Sequence, residues 1–396
     1  MEEPPVYLSH LTLTNYRNFQ HLELELPQGL VFILGANAEG KTNLLEAAYM
    51  LAIAKSYRTN TERELIHWSA QKSPGRLQAP EAQTEQTIVR GEVEQREGQL
   101  RVIVGLRVTS EGRAGGALVQ KQIRVNGVST SAAGLVGQVN AALFTAADID
   151  LVQGPPAQRR RFLDILISQV DRAYLRTLQR YQRVLSQRNH LLRLIREGRS
   201  SPDELDFWDS ELAKEGSLLV ARRDHVVRRL VPLAMQAYRG LAGDEEMSLA
   251  FQPSVAAGDL ADALLSQRAA EIKAGMTMEG PHRDDIGVAL DGMPAATYAS
   301  RGQARTIALA LRLSEAVFLR EERREEPILL LDDVLSELDP QRRERVLAEA
   351  SSYQQAVVTT AETALVRDVP VEVSAVLLVR QGQVEPWRPG EPYRSS

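Results

Sequence analysis

The stretch Gly35-Ala-Asn-Ala-Glu-Gly-Lys-Thr42 matches the pattern G-x-x-x-x-G-K-[ST] at every fixed position. A continuous apolar run over residues 30–34 precedes it, as in a strand buried on both faces, and a helical pattern over residues 42–54 follows it. Glycines in such a turn let successive backbone N–H groups point at one phosphate, and the helix N-terminus adds its dipole. A glycine-rich turn that merely precedes a helix would not need Lys41, so this context predicts a phosphate-binding P-loop.

Two side chains of this loop have chemical roles of their own. Lys41 is expected to reach the β- and γ-phosphates of ATP, and the Thr42 hydroxyl is expected to ligate Mg²⁺. The backbone of the whole loop would surround the phosphates. The nucleotide-binding residues predicted on this ground are Gly35, Ala36, Asn37, Ala38, Glu39, Gly40, Lys41 and Thr42.

A second apolar run, Ile328-Leu-Leu-Leu331, ends in two adjacent carboxylates, Asp332 and Asp333. In a Walker B strand the first carboxylate holds Mg²⁺, here through water, and the second orients or deprotonates the attacking water. Two carboxylates at a strand end could instead cap the next turn. Their combination with a P-loop favours the catalytic interpretation, which assigns metal binding to Asp332 and catalysis to Asp333.

Ser300-Arg-Gly-Gln303 stands directly before a helical pattern and about 30 residues ahead of the Walker B strand. A serine and a glycine at a helix N-terminus can bind an anion, although the same residues also make an ordinary N-cap. Ser336-Glu-Leu-Asp339 follows the Walker B strand in the position of a D-loop. This order of four elements is typical of ABC-type ATPases, and it predicts nucleotide contacts by Ser300, Gly302, Gln303 and Asp339, with Ser300 in a catalytic role.

Composition excludes several classes of protein. The chain contains no cysteine, which rules out disulfides, cysteine-ligated zinc and thiol nucleophiles. No apolar run approaches the roughly 18 residues that cross a bilayer. We therefore expect a cytoplasmic protein without a membrane partner, associated with the nucleoid when it is bound to DNA.

The basic residues are unevenly distributed along the chain. Residues 159–199 contain eleven arginines and three acidic residues, a local charge of +8 in a chain of net charge −5. Spacings of four, four and three place four of these arginines on one helical face. They are Arg172, Arg176, Arg180 and Arg183. Such a stripe is typical of a DNA contact, but it also fits a solvated helix face or a contact between subunits.

The pattern of elements predicts an α/β fold, an ABC-type P-loop ATPase head with a mixed sheet plus an antiparallel sheet. Alternating residues near positions 6–13 and 22–26 indicate paired strands, and strand-like runs over residues 87–128 indicate a second, antiparallel sheet. Residues 157–239 are helical and charged. We expect a head built from residues 1–155 and 276–396, with an α-helical arm inserted at residues 156–275.

With these residues in view, the chain resembles the RecF family, in the SMC-like branch of ABC ATPases. The P-loop and Walker B strand are generic, whereas Arg159-Arg-Arg-Phe-Leu-Asp164 and Gly280-Pro-His-Arg-Asp-Asp285 are specific to this family. Further matching stretches are Asn15-Tyr-Arg-Asn-Phe19, Asn43-Leu-Leu-Glu-Ala47, Gly154-Pro-Pro156 and Ser186-Gln-Arg-Asn189.

The resemblance implies an ATP-dependent homodimer in which Ser300 of one copy contacts the γ-phosphate held by Lys41 of the other. It implies binding to duplex DNA or to single-strand/double-strand junctions, a weak DNA-stimulated ATPase that acts as a switch, and DNA repair and replication with the SOS response. RecR and RecO would be partners in loading RecA. By resemblance Arg17 lies near the nucleotide, although a structural role fits it equally. For His282 a structural role is favoured over a catalytic one.

Two departures from related ATPases predict slow turnover. Transporter-type ABC proteins carry a histidine after the strand that follows the D-loop, where this chain has Thr359-Thr360. The catalytic carboxylate is the shorter Asp333, where many ABC proteins have glutamate. Residues 143–148 also lack the Pro-Glu pair of many RecF relatives, so no Q-loop residue is assigned.

Three other functions use part of the same pattern. The ATPase subunit of a transporter would carry a short helical insert and the histidine that this chain lacks. A non-hydrolysing scaffold that binds ATP and a protein partner has no use for Asp333. A P-loop kinase has no use for residues 300–303.

Overall fold

A computed structural model describes residues 5–67, 86–109, 118–243, 245–367 and 369–388. The chain forms two compact units, Met1–Ala146 with Leu319–Ser396, and Ala147–Phe318. These limits differ from the sequence-based boundaries at 155/156 and 275/276, because residues 147–155 and 276–318 also fall in the second unit. The functional division into an ATPase head and an inserted arm stays a prediction.

The strands form three sheets. In chain order they are β1 (Tyr7–Tyr16), β2 (Phe19–Glu25), β3 (Gly29–Leu34), β4 (Gln86–Gln95), β5 (Gly98–Thr109), β6 (Leu118–Val125), β7 (Val128–Thr130), β8 (Ala141–Thr145), β9 (Met247–Gln252), β10 (Asp285–Leu290), β11 (Met293–Pro294), β12 (Ile328–Asp332), β13 (Gln355–Thr360), β14 (Ala375–Arg380) and β15 (Gln383–Pro386).

The helices connect these strands or form the bulk of the second unit. They are α1 (Lys41–Ile53), α2 (Ala132–Leu135), α3 (Asp150–Gln153), α4 (Pro156–Val170), α5 (Arg172–Arg196), α6 (Leu205–Ala242), α7 (Leu260–Ala274), α8 (Ala295–Tyr298), α9 (Arg301–Arg323), α10 (Pro340–Ser351) and α11 (Ala364–Arg367).

The first unit contains a mixed sheet of order β15-β14-β3-β13-β12-β8, in which the pairs from β14 to β8 are parallel and β15 is antiparallel to β14. Its central strands read as unbroken apolar runs because both faces are covered. Val31, Phe32 and Val358 are fully buried. This sheet sets the site, since β3 leads into the P-loop and β12 ends two strands away, beyond β13.

The second sheet of this unit is antiparallel, with order β2-β1-β4-β5-β6-β7. Helix α1 packs closely on it at Gly91 of β4, where an added Cβ would lie 2.2 Å from Cδ1 of Leu51. A side chain there would force the Leu51 side chain to shift, which favours glycine at this position. The predicted mixed and antiparallel sheets are both confirmed.

The second unit is mostly helical, as the sequence predicted for residues 157–239, and it also contains the antiparallel sheet β11-β10-β9. Helices α5 and α6 pack together around Leu191, Leu192, Ile195 and Leu205. Residues 240–275, in the last part of the predicted arm, contain β9 and α7. Among the described residues every helix is too short or too polar to span a lipid bilayer.

Candidate functional site

The loop between β3 and α1 is held in a conformation that requires its glycine. Gly40 has φ 113° and precedes the first residue of α1. An added Cβ would lie 2.5 Å from Nδ2 of Asn18, so both the backbone angle and the neighbouring side chain exclude larger residues. Ala38, in the same loop, also adopts a left-handed φ of 68°.

Asn18 braces this loop from the turn between β1 and β2. Its Nδ2 donates to the Glu39 carbonyl at 2.8 Å, and its Oδ1 accepts from Nδ2 of Asn43 at 2.8 Å. Asn18 therefore joins the loop to the first turn of α1. The residue pattern did not indicate this role, although Asn18 lies in a stretch that carried the family resemblance.

The ammonium group of Lys41 lies inside the loop. Its Nζ donates to the carbonyls of Gly35 at 2.7 Å and of Ala36 at 2.9 Å. Burial lowers the pKa of Lys41, while the carboxylates of Asp333 and Asp332 act in the opposite direction. The P-loop lysine is thus placed beside the carboxylates at the end of β12.

Asp332, the last residue of β12, is the centre of a hydroxyl cluster. Its Oδ1 accepts from Thr42 Oγ1 at 2.9 Å and from Thr359 Oγ1 at 3.0 Å, and its Oδ2 accepts from the Tyr57 hydroxyl at 2.8 Å. Thr359 is the direct neighbour of Asp332 in the parallel pairing of β12 with β13. The structure therefore brings together Thr42 and Asp332, the two residues predicted to bind the metal, although they are 290 residues apart.

Asp333 has a strained backbone and a partly buried carboxyl group. Its φ is 52°, and its N–H donates to Thr359 Oγ1 at 2.9 Å. Burial raises the pKa of Asp333, and the nearby Lys41 opposes this shift. The buried Oδ1 has no hydrogen-bond partner among the described residues, so it can accept a proton or a hydrogen bond from a bound molecule.

A cavity of about 490 Å³ opens over the loop. Its lining consists of Arg17, Asn18, Asn37, Ala38, Gly40, Lys41, Thr42, Asn43, Arg58, Glu64, Ile66 and Asp333. Most of the predicted phosphate-binding residues are therefore exposed to one cavity. Among the described residues no group of three or more histidine, aspartate or glutamate side chains could form a metal site by itself.

Arg17 makes a structural contact, and its predicted position near a nucleotide stays a prediction. Its guanidinium makes two hydrogen bonds to the carboxylate of Glu46, from Nε at 2.8 Å and from Nη2 at 2.7 Å. Glu46 is fully buried, so this pair anchors the turn to α1. The same arginine lines the cavity, and its Nη1 donates to the Glu64 carbonyl at 2.8 Å.

Ser300 and Gln303, in the second unit, form a reciprocal cap at the N-terminus of α9. The Ser300 N–H donates to Oε1 of Gln303 at 2.9 Å, and the Gln303 N–H donates to Oγ of Ser300 at 3.2 Å. This is the ordinary capping role that the sequence also allowed. Gly302 between them is exposed.

Asp339 plays a similar capping part at α10. Its side chain accepts from the Arg342 N–H at 3.0 Å, and this hydrogen bond lowers the pKa of the Asp339 carboxyl. The predicted contacts of Ser300, Gly302, Gln303 and Asp339 with a nucleotide stay predictions.

The two stretches that carried the family resemblance meet in one ion-pair network of the second unit. The buried Arg159 makes a two-fold contact with Asp285, at 2.6 and 2.8 Å. The buried Arg223, on α6, bridges Asp164 and Asp284 at 2.8 and 2.9 Å. These stretches therefore form part of the charged interior of this unit.

His282 belongs to the same interior. Its Nδ1 lies 2.7 Å from the Tyr181 hydroxyl, and its Nε2 lies 3.2 Å from the Thr277 carbonyl. Burial lowers the pKa of His282 to about 4. The ring is therefore neutral near pH 7 and ties its loop to α5, which fits the favoured structural role.

The basic run divides into buried and exposed arginines. Arg188 is fully buried and contacts Asp209 at 2.6 Å and Glu271 at 2.7 Å. By contrast, the four arginines of the predicted stripe on α5 are exposed. One of them, Arg180, contacts the buried Glu215 at 3.0 Å. The total charge of the run thus overstates the charge available to a ligand.

A mixed sheet with a P-loop after β3 and paired carboxylates at the end of β12, together with an antiparallel sheet, defines the head of an ABC-type P-loop ATPase. The family model described as RecF/RecN/SMC N terminal domain matches residues 7–385. The DNA replication and repair protein RecF of Roseiflexus castenholzii is 42% identical over 372 residues, covering 90% of this chain and 93% of that protein. RecF of Geobacillus thermodenitrificans is 35% identical over 393 residues, covering 96% of this chain and 99% of that protein. The chain belongs to the RecF family.

Solved structures agree with this assignment. The structure of the recombination mediator protein RecF with ATP in the RecFOR pathway has a TM-score of 0.83 and 29% identity, covering 97% of this chain and 98% of that chain. The Smc head domain of Pyrococcus furiosus, solved with the C-terminal domain of ScpA, has a TM-score of 0.53 and 15% identity, covering 96% and 95%. The second similarity concerns the fold alone.

Proposed function

We propose that this protein is an ATP-dependent DNA-binding protein of recombinational gap repair. ATP binding closes a homodimer on DNA, slow hydrolysis releases it, and the protein assists RecA loading together with RecR and RecO. One observation carries the proposal: Thr42 and Asp332 meet at 2.9 Å beside Lys41. The RecF named in the RecFOR pathway and solved with ATP supports the same assignment by similarity.

The chain's own oxygens fit a magnesium ion held together with a nucleotide. Thr42 can donate its proton to Asp332 while its oxygen keeps a lone pair for a metal, and Asp332 keeps a free acceptor direction on Oδ2. Mg²⁺ typically uses one or two protein oxygens, waters and phosphate oxygens. When bound, the ion would neutralise charge on the phosphates.

Lys41 and Asp333 supply the remaining chemistry. The ammonium of Lys41 can exchange its loop carbonyls for phosphate oxygens, which are stronger acceptors for a cation. The free Oδ1 of Asp333 can accept the proton of an attacking water. Two features support a slow, switch-like ATPase. The side chain of Asp333 is shorter than that of glutamate, and Thr359 stands in place of a histidine.

The second copy completes the site in this proposal. Ser300 sits with Gly302 and Gln303 at the start of the 23-residue helix α9, where the dipole favours an anion. We assign Ser300 of one copy to the γ-phosphate bound by the other copy. DNA stimulation follows if the closed dimer, and not the monomer, presents the exposed stripe Arg172, Arg176, Arg180 and Arg183 to duplex or junction DNA.

The deciding experiment measures ATP hydrolysis with and without duplex DNA, alongside sedimentation with ATP and Mg²⁺. We expect dimerisation with ATP and faster hydrolysis with DNA. Ser300→Arg should keep ATP binding but remain monomeric, because the bulky cation blocks the intersubunit contact. A wild-type chain that stays monomeric at saturating nucleotide and Mg²⁺ with DNA present would refute the proposal.

A further inference from the structure

The carboxylate of Asp332 has nearly all its acceptor positions filled by hydroxyl groups. Thr42 and Thr359 donate to Oδ1, and Tyr57 donates to Oδ2. A carboxylate offers about four lone-pair sites on its two oxygens. Three donors therefore leave one acceptor direction, and it lies on Oδ2.

Tyr57 differs from the other two donors, because it lies outside every sequence motif. Its ring packs edge-on against the ring of Tyr49 on α1, with centroids 5.9 Å apart and an angle of 87° between the planes. Tyr49 is buried, so this contact holds the Tyr57 ring in place. The phenol oxygen is thereby directed at Asp332 at 2.8 Å.

We propose that Tyr57 is a positioning residue for magnesium: its hydroxyl holds Oδ2 so that Asp332 presents its one remaining acceptor direction to the ion or to water bound by the ion. The inference rests on the proposed binding of ATP with Mg²⁺. Partners that orient a metal ligand without touching the metal typically change metal affinity by about 10- to 100-fold when they are removed.

A purely structural role for Tyr57 makes a different prediction. The edge-on contact with Tyr49 uses the ring and not the hydroxyl, so phenylalanine would preserve it. The hydroxyl donates to Asp332, the residue predicted to bind the metal. Loss of the hydroxyl should therefore affect the magnesium dependence of nucleotide binding and leave metal-free binding unchanged.

The test measures equilibrium binding of a fluorescent, non-hydrolysable ATP analogue to the full-length chain, in a Mg²⁺ titration and in EDTA. Tyr57→Phe should raise the Mg²⁺ concentration at half-saturation by about tenfold, with unchanged affinity in EDTA. Tyr49→Phe is the matched control, since it removes a hydroxyl from the other ring of the pair. It should behave as wild type.

Three results would overturn the inference. The Mg²⁺ half-saturation of Tyr57→Phe could equal that of wild type, or fall below it. Alternatively, affinity could drop equally with Mg²⁺ and with EDTA, which would mean that the hydroxyl only supports the loop. If the wild-type chain itself binds no analogue at saturating Mg²⁺, the proposed function fails instead, so the two failures are distinguishable.

Discussion

Thr42 and Asp332, 290 residues apart, are joined by a hydrogen bond of 2.9 Å from Oγ1 to Oδ1. Thr42 is the second residue of helix α1, and Asp332 is the last residue of strand β12. The parallel order β3-β13-β12 places both at the same edge of the sheet, because the carboxyl ends of parallel strands meet there. The candidate site is thus a consequence of sheet topology, and its parts can be tested separately.

Lys41→Met should abolish ATP binding and, with it, ATP-dependent dimerisation. The ammonium lies in the loop beside Asp332 and Asp333, and methionine offers no charge to phosphate oxygens. Binding of a fluorescent nucleotide measures this. Lys214→Met, at an exposed lysine of α6, is the control and should bind as wild type.

Asp333→Asn should bind ATP but hydrolyse it at least about a hundredfold more slowly, which traps the dimer. The amide keeps the size of the carboxyl group but cannot accept the proton of water. Single-turnover hydrolysis and sedimentation report the two effects. Hydrolysis at the wild-type rate would remove Asp333 from its assigned role.

The pH dependence of ATP hydrolysis should report the ionisation of the same carboxyl group. Burial raises the pKa of Asp333, and only its ionised form can accept a proton. Wild-type hydrolysis should therefore decline on the acid side at a pH above the usual range of an aspartate, about 4. The residual hydrolysis of Asp333→Asn should lack this decline, and an identical acid decline would assign it to another group.

Charge reversal of Arg172, Arg176 and Arg183 should weaken DNA binding and flatten its salt dependence. Each lost phosphate contact lowers the slope of log K against log salt by about 0.9. Arg180 is better left intact, because its reversal would leave the buried Glu215 without its cation. Reversing the charge of Arg176 alone should weaken DNA binding more than reversing the charge of Arg228, an exposed arginine of α6. Equal effects would argue against a specific stripe.

Arg159→Met should destabilise the second unit by about 3–5 kcal/mol, because it leaves the Asp285 carboxylate without its two-fold partner. Arg161→Met, at an exposed neighbour on the same helix, should cost less than about 1 kcal/mol. Denaturant unfolding of both variants measures the difference. If both variants lost a similar free energy of unfolding, the pair of Arg159 with Asp285 would contribute no more to stability than an exposed arginine does.

Because His282 is buried and neutral, we expect the folded chain to lose stability in acid. Its pKa is about 4 in the folded chain, below the ordinary 6.5, so the unfolded chain binds the proton more readily. The contribution of neutral His282 to the free energy of unfolding is therefore complete above pH 6.5. It is lost as the pH falls towards 4, by roughly 3 kcal/mol in total. His282→Gln should unfold with a shallower pH dependence over this interval, as measured by denaturant titration at several pH values.

The sequence by itself determined the local chemistry. The pattern from Gly35 to Thr42 identified the P-loop because the phosphate-binding turn depends on residue types at short spacing. The apolar run ending in Asp332 and Asp333 identified a buried strand for the same reason. The helical character of residues 157–239 also followed from local composition. The family resemblance rested on Arg159–Asp164 and Gly280–Asp285, whose chemical meaning the sequence did not reveal.

Only the tertiary structure decided how distant residues share their partners. It showed that those two stretches form one buried ion-pair network, and that Arg188 of the basic run is an interior residue. It also placed Tyr57 and Thr359 on Asp332, which no spacing could indicate. Such contacts depend on strand order and on the packing of α1, and these are set by burial of the whole chain and not by any local pattern.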